Sequence, residues 1–169
     1  MTTLYLVRHG QTIDNVRQIM QGQRQGELTQ EGVKQIETLT SHLSHIHFDA
    51  FVSSDLRRAF DSCSIIAKTK GMNVVTTPLL RERDWGDFTG RFIPELKGQE
   101  FPSNVETMDA MKQRAKELLK WIGDNYPEQT VLAVGHGIIN KVIQSVYHNQ
   151  PISMIKRMEN AEYRILEIE

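Results

Sequence analysis

The chain has 169 residues, of which 39% are hydrophobic and 24% are charged, as expected of one globular domain with a substantial core. Its net charge of −1 provides no overall field that would attract nucleic acid or an anionic membrane, so we expect neither as a partner. The single cysteine, Cys63, excludes an intramolecular disulfide, and no apolar run is long enough to span a bilayer. No signal-peptide pattern precedes the first apolar run, so a cytoplasmic location is expected.

The first half of the chain alternates short apolar runs with amphipathic segments. The predicted strands are Leu4–Val7, Ala50–Val52 and Val74–Val75. Thr29 is a suitable N-cap for a helix whose apolar residues recur at helical spacing as far as Ile46. A second helix with one apolar face begins at Leu56 and is predicted to stop at Gly71.

The second half continues this alternation after a long irregular stretch. Periodicity disappears from Pro78 to Pro102, where glycines and prolines recur, and residues 83–104 are predicted to form a small cap or loop region. The elements predicted beyond it are a helix over Val105–Ile122, a strand over Val131–Val134, a helix over Ile138–Val146 and an antiparallel edge strand over Tyr163–Glu169.

Strands that alternate with amphipathic helices are typical of βαβ units with parallel pairing and right-handed crossovers. We therefore predict an α/β fold, a three-layer sandwich whose mostly parallel central sheet carries helices on both faces. Residues 1–169 are expected to form a single domain that includes the small cap.

The candidate catalytic and binding residues are concentrated where two of the predicted strands end. The strand Leu4–Val7 runs into Arg8 and His9, and the strand Val131–Val134 runs into the Gly-His-Gly segment Gly135–Gly137. Parallel neighbours would deliver both imidazoles to one crevice at the carboxyl edge of the sheet, where α/β folds bind ligands. A guanidinium beside this crevice is suited to a carboxylate or a phosphate, so the pattern indicates phosphoryl chemistry.

Five motifs in chain order carry a resemblance to a known family. They are Arg8–Asn15 (RHGQTIDN), Leu28–Gly32 (LTQEG), Ser53–Ala59 (SSDLRRA), Leu80–Gly90 (LRERDWGDFTG) and Gly135–Gly137 (GHG). Taken together they resemble the histidine phosphatase superfamily, also called phosphoglycerate-mutase-like, and its phosphatase branch in particular. An Arg-His-Gly tripeptide alone would be weak evidence, whereas five motifs in order are specific.

The resemblance implies a role for each motif residue. The residues that it marks are His9 as the phosphorylated nucleophile, Glu82 as the proton donor, Arg8, Arg58 and His136 as catalytic phosphate ligands, Asn15 and Gly137 as further phosphate contacts, and Gln21 and Gly22 as substrate contacts. Arg58 is favoured over Arg57 because the arginine that directly precedes alanine is the family's second phosphate clamp.

Each of these residue types suits a phosphoryl transfer. A neutral imidazole is a competent nucleophile near neutral pH, and adjacent guanidinium groups favour an unprotonated His9. Attack on a phosphate ester passes through a loose, in-line transition state, whose charge a ring of Arg8, Arg58 and His136 would hold. Glu82 would protonate the leaving alkoxide and later take a proton from water. We expect neither a metal nor another cofactor, since the arginines take the role of the metal.

The leading interpretation is a phosphomonoesterase that acts on a phosphorylated small molecule, with a phosphoprotein as the alternative substrate. Three other functions stay open: a phosphoglycerate mutase, an alpha-ribazole phosphatase, and a non-catalytic module that binds phosphorylated ligands. A mutase must exclude water, and only residues 91–129 are available to cover the site, while Lys141 stands where mutases usually have arginine. A pure binding module does not need Glu82. We expect a monomer or a homodimer, with substrate specificity residing in the cap.

Overall fold

A five-stranded sheet organises the molecule. The structure is a computed structural model that describes residues 1–169. The strands are β1 (Thr2–Arg8), β2 (Ala50–Ser53), β3 (Val74–Thr76), β4 (Thr130–Gly135) and β5 (Tyr163–Ile168). The helices are α1 (Ile13–Arg17), α2 (Gln30–His42), α3 (Arg57–Thr69), α4 (Met108–Asn125) and α5 (Gly137–His148). The strand order is β3-β2-β4-β1-β5, and only β5 is antiparallel to its neighbour, which confirms the mostly parallel sheet.

The central pair of strands, β1 and β4, sets the geometry of the functional edge. Residues 131–134 of β4 are fully buried, the continuous apolar run typical of a strand that is covered on both faces. The parallel register pairs Leu4 with Val131 and Arg8 with Gly135. The two glycine- and histidine-containing motifs therefore begin side by side at the carboxyl edge.

Helices cover both faces of the sheet, so the predicted three-layer sandwich is confirmed. On one face α4 and α5 pack on a core that includes Leu4 and Leu6 of β1, with Met111 and Ile143 from the helices. On the other face α2 and α3 pack on Val7, which follows Leu6 in β1 and therefore points to the opposite side of the sheet. None of these helices is both long and apolar enough to cross a membrane.

Helix boundaries follow the capping residues more closely than the apolar periodicity. The side chain of Thr29 accepts a hydrogen bond from the backbone N–H of Gly32, as its N-cap role predicts. The expected continuation of α2 to Ile46 is wrong, because the chain leaves the helix at Leu43, which is itself buried. Gly71 follows α3 with φ of +65°, the left-handed conformation that favours glycine after a helix.

The start of α4 also differs from the prediction. This helix begins at Met108, three residues after the predicted Val105. The side chain of Thr107 accepts a hydrogen bond from the backbone N–H of Ala110 and caps the helix there. Val105 is still buried, so its hydrophobicity serves packing outside the helix.

The segment 83–104 crosses the carboxyl edge of the sheet as two short 3₁₀ turns, Gly86–Phe88 and Ile93–Leu96, joined by irregular chain. Backbone hydrogen bonds tie it to the loop after α1: Met20 N–H donates to Arg91 O at 2.9 Å, and Ile93 N–H donates to Gln18 O at 2.8 Å. The cap and this loop thus form one wall beside the motif that follows β1.

Candidate active site

The two motif histidines meet at the carboxyl edge of β1 and β4. The ring centroids of His9 and His136 are 5.1 Å apart, and the backbone N–H of His9 donates to the carbonyl of Gly135. The parallel register produces this approach, because each histidine directly follows the last residue of one of the two paired strands.

Beside His9 lies a cavity of about 270 Å³. The residues marked by the resemblance that line it are Arg8, His9, Asn15, Gln21, Gly22, Arg58, Glu82 and Gly137. His136 is the exception, since its side chain is fully buried and does not line the cavity. It stands against His9 as a supporting group, with a ring tilt of 62° between the two imidazoles.

One ring nitrogen of His9 forms a hydrogen bond within the protein, and the other has no partner. Its Nδ1 lies 2.7 Å from the carbonyl oxygen of Gly10, which makes Nδ1 the donor nitrogen. Nε2 has no hydrogen-bond partner within the protein and carries the lone pair. Burial, and then the positive charge of Arg58, hold the pKa of His9 well below its ordinary value, so the ring is neutral near pH 7.

Arg8 presents its guanidinium to the cavity from the last position of β1. Its Nη1 donates to the carbonyl of Met158 at 2.7 Å, while its Nε is buried without a partner. Burial, and then the charge of Arg157, lower the pKa of Arg8. A buried donor without an acceptor costs free energy, and an anion in the cavity would supply the acceptor that Arg8 lacks.

Arg58 lies on the first turn of α3, and its side chain is almost fully buried, whereas the neighbouring Arg57 is exposed. Its Nη2 donates to the carbonyl of Gly22 at 2.7 Å, and its Nη1 donates to that of Arg24, so it ties the loop after α1 to the site. Burial lowers the pKa of Arg58 to about 10, which leaves the guanidinium charged at neutral pH. Its Nε is buried without a partner.

Glu82 also lines this cavity and is bound to the start of α5. Its Oε2 accepts from the backbone N–H of Ile138 at 3.0 Å, and its Oε1 accepts from those of Ile139 and Arg83. The carboxyl group thereby satisfies donors that the first turn of a helix leaves unpaired. Oε2 receives one of the three donors, so it retains a free position that can carry a proton.

The remaining substrate-contact candidates are fixed by the loop itself. Asn15 closes a capping box with Thr12, in which its Oδ1 accepts from the backbone N–H of Thr12 while its Nδ2 has no protein partner. The side chain of Gln21 accepts from the Thr12 hydroxyl at 2.9 Å. Gly22 adopts φ of +52°, a conformation that a side chain would strain, and its carbonyl receives Arg58.

Several cavity residues escaped the sequence analysis. The lining residues that it did not assign are Ile19, Met20, Trp85, Ile93, Ile138, Lys141 and Arg157. Lys141 was noted only as a departure from mutases, although its place one turn into α5 could have indicated the site. Arg157 comes from the irregular chain before β5, where no local pattern marks it.

Comparison with known proteins agrees with this geometry. The sequence model of the Histidine phosphatase superfamily (branch 1) matches residues 4–169. An uncharacterized phosphatase of Bacillus subtilis, PhoE, is 30% identical over 166 residues, which cover 95% of this chain and 86% of that protein. Phosphoglycerate mutase-like protein 4 of Arabidopsis thaliana is 32% identical over 161 residues, covering 85% of this chain and 69% of that protein.

A solved structure extends the comparison to the fold. Mycobacterial glucosyl-3-phosphoglycerate phosphatase is similar with a TM-score of 0.90 and 27% identity, over 98% of this chain and 92% of that one. The chain therefore belongs to the histidine phosphatase superfamily, which confirms the family predicted from the five motifs. Its membership supports the prediction of a phosphatase.

Proposed function

We propose that the protein hydrolyses phosphate monoesters through a phosphohistidine formed at Nε2 of His9. The observation that carries this proposal is the unpartnered Nε2 of a buried, neutral histidine in a cavity that also holds two charged guanidinium groups. A nucleophile, an anion clamp and a carboxyl group thus surround one space. The phosphatase names of several relatives agree with this assignment.

In the first step, the substrate phosphate lies between Arg8 and Arg58. The Nε atoms of both arginines lack a hydrogen-bond acceptor within the protein. The lone pair of His9 Nε2 attacks phosphorus in line, the P–N bond forms and the P–O ester bond breaks. The departing oxygen takes the proton held on Glu82 and leaves as the alcohol. Glu82 is then the carboxylate that three backbone N–H groups already support.

In the second step, Glu82 accepts a proton from a water molecule as the water oxygen attacks phosphorus. The P–N bond breaks, inorganic phosphate forms, and the electron pair returns to Nε2 of His9. The cycle regenerates both starting protonation states. The cavity volume of about 270 Å³ suits the phosphorylated end of a small molecule or of a flexible phosphoprotein segment. The cytoplasmic location, the lack of nucleic-acid or membrane partners, and the monomeric or homodimeric state stay predictions.

The test combines turnover with direct trapping of the intermediate. Purified protein in EDTA is incubated with 4-nitrophenyl phosphate. In a separate reaction the protein is mixed with a ³²P-labelled monoester, and this reaction is quenched after milliseconds. We expect release of inorganic phosphate and an acid-labile, base-stable label on the peptide that contains His9. His9→Ala abolishes both, whereas the exposed His45→Ala keeps both. A wild-type protein that turns over without any label would overturn the phosphohistidine step.

The same preparation separates the rival activity. With 3-phosphoglycerate and a bisphosphoglycerate primer, a phosphatase releases inorganic phosphate faster than it forms 2-phosphoglycerate. The opposite ratio would identify a mutase, and the absence of both products together with tight phosphate binding would identify a non-catalytic binding module.

A further inference from the structure

A second, mostly apolar cleft adjoins the phosphate cavity, and we call it the apolar annex. It has a volume of about 390 Å³, and its walls include Met20, Trp85, Phe88, Ile93, Leu96 and Phe101. Three of these residues, Met20, Trp85 and Ile93, also line the phosphate cavity, so the two spaces share a wall and a mouth. The chemistry proposed for His9 does not use the apolar annex.

Large apolar side chains are left in solvent around this cleft. Phe101 is 56% exposed and Ile93 is 44% exposed, although both belong to a segment that is otherwise anchored by backbone hydrogen bonds. Apolar side chains that are exposed side by side mark interaction or ligand sites more often than singly exposed ones do. Lys97 supplies the one charged side chain of the lining.

Contacts among their own side chains hold the walls of the apolar annex in place. The ring of Phe101 packs edge-on against Trp85 at 5.4 Å and against Phe88 at 5.8 Å between centroids. The guanidinium of Arg83 lies over the Trp85 ring at 4.7 Å from its centroid. A cleft with preorganised walls loses little conformational entropy when it binds an apolar group.

Resting on the proposed phosphatase activity, we propose that the apolar annex holds the alcohol part of the substrate, and that this part is an apolar group, aromatic or alkyl. The phosphoryl group occupies the cavity beside His9, and the alcohol leaves that cavity past the shared wall of Met20, Trp85 and Ile93. A polar alcohol would give up its hydration against carbon without gaining hydrogen-bond partners there. An apolar alcohol instead removes both its own surface and the exposed wall from water.

The competing occupant is an alcohol that carries a carboxylate. Lys141 and Arg157 also line the phosphate cavity, and neither forms an ion pair within the protein. These two cations would favour an anionic alcohol such as that of a phosphoglycerate. The apolar annex has a volume of about 390 Å³ against about 270 Å³ for the phosphate cavity, and this larger apolar space favours the apolar alcohol.

Binding of non-hydrolysable phosphonates tests the inference without requiring turnover. Calorimetric titration compares ethylphosphonate, hexylphosphonate and 2-phenylethylphosphonate with 3-phosphonopropionate, the carboxylate-bearing analogue. We expect the affinity to rise about threefold for each buried methylene, so that hexylphosphonate binds on the order of 100-fold more tightly than ethylphosphonate. Equal affinities for the ethyl and hexyl compounds, or tightest binding of 3-phosphonopropionate, would overturn the proposal.

A pair of cap variants locates the effect. Phe101→Ser removes an annex wall, and we expect it to lower the hexyl-to-ethyl affinity ratio about tenfold. Phe92→Ser is the matched control, because Phe92 is 40% exposed in the same cap but does not line the apolar annex. An equal loss in both variants would indicate general damage to the cap and contradict the assignment.

Kinetics with matched esters separate this inference from the proposed function. Ethyl, hexyl and 2-phenylethyl phosphates have unactivated primary alcohols, so a rise in kcat/KM along the series reports binding of the alcohol. Hydrolysis of all three esters at one rate would support the proposed phosphatase activity and contradict the role proposed for the apolar annex. Tight hexylphosphonate binding without hydrolysis of any ester retains the apolar site and removes the proposed function.

Discussion

The hydroxyl oxygen of Ser54 lies 2.7 Å from Nε2 of His136, and both groups are fully buried. The same oxygen accepts a hydrogen bond from the backbone N–H of Leu56 at 3.3 Å, and its hydroxyl proton has no acceptor other than Nε2. Nε2 is therefore the acceptor, and the ring proton of neutral His136 resides on Nδ1. Nδ1 is buried without a protein partner, and the ring that carries it packs against that of His9.

Ser54→Ala removes the only group that selects this tautomer. We expect kcat/KM for a phosphate monoester to fall about tenfold, because the His136 ring that packs against His9 would no longer keep its proton on one nitrogen. Nitrogen-15 NMR of labelled histidine should show Nδ1–H for His136 in the wild type and a tautomer mixture in the variant. Ser64→Ala, which removes an exposed hydroxyl bonded within its own helix, is the control that retains both readouts. An unchanged His136 spectrum in Ser54→Ala would refute the tautomer assignment.

The free energy of unfolding should depend on pH because of the two site histidines. Burial and the charge of Arg58 hold the pKa of both His9 and His136 well below the ordinary value of about 6.5 that the unfolded chain regains. Below about pH 6.5 the unfolded state binds more protons than the folded state, so lowering the pH favours unfolding. Each histidine contributes a slope of at most about 1.4 kcal/mol per pH unit, and neither contributes above about pH 7.5.

Urea unfolding between about pH 5.5 and 7.5 measures this slope. His9→Gln removes one of the two titrating groups and should reduce the slope by roughly half. His45→Gln replaces an exposed histidine and should leave the slope at the wild-type value. A wild-type free energy of unfolding that stays flat through this range would contradict neutral, buried histidines.

The sequence predicted the parts of the site that depend on strand ends and short motifs. His9 and His136 follow central strands whose apolar runs are unambiguous, and parallel pairing alone brings them together. Glu82 was placed by its motif, but its two donors from α5, the backbone N–H groups of Ile138 and Ile139, were not foreseen, because the start of α5 approaches it only after folding. Long-range contacts of this kind leave no local periodicity in the sequence.

The cap shows why other features could not be predicted. Its conformation is set by isolated backbone contacts, such as the bridge between Ile19 and Phe92, that no hydrophobic period encodes. The exposure of Phe101 and its packing on Trp85 follow from those contacts. The sequence therefore predicted a cap over residues 83–104, while the cleft that its apolar side chains form required the folded chain.

Gly135 and Asn140 are expected to be coupled. A Cβ built on Gly135 would lie 2.2 Å from Oδ1 of Asn140, whose Nδ2 donates to the carbonyl of Val7 at 3.0 Å. Gly135→Ala should therefore lower the free energy of unfolding by about 1–3 kcal/mol through overpacking. In Gly135→Ala with Asn140→Ala the added methyl gains room, so the double variant should lose at least about 1 kcal/mol less than the sum of the single losses.

Denaturant titration of the four proteins in this cycle measures the coupling. The control cycle pairs Asn140→Ala with Gly71→Ala, since a Cβ at Gly71 would meet no atom within 4 Å. Gly71→Ala carries only the strain of its positive φ, and the two changes should be additive. Additivity in the Gly135 cycle as well would show that Asn140 does not restrict position 135.

Arg114 of α4 holds the stretch of chain that carries Glu82. Its Nη1 donates to the carbonyls of Leu79 and Arg81 at 3.1 and 2.5 Å, and its Nε and Nη2 bind the carboxylate of Glu106. Arg114→Lys keeps the charge but loses the planar fork that makes these bonds simultaneously. We expect Glu82 to be misplaced in this variant and proton donation to the leaving group to weaken.

A leaving-group comparison distinguishes this positioning role from a general loss of structure. Alkyl phosphates depend on protonation of the departing oxygen, whereas 4-nitrophenolate departs readily without it. Arg114→Lys should therefore lower kcat at least about tenfold more for an alkyl phosphate than for 4-nitrophenyl phosphate. Lys116→Met, an exposed change on the same helix, should leave the ratio of the two rates unchanged. If Arg114→Lys slows both substrates equally, Arg114 supports the fold without positioning the proton donor.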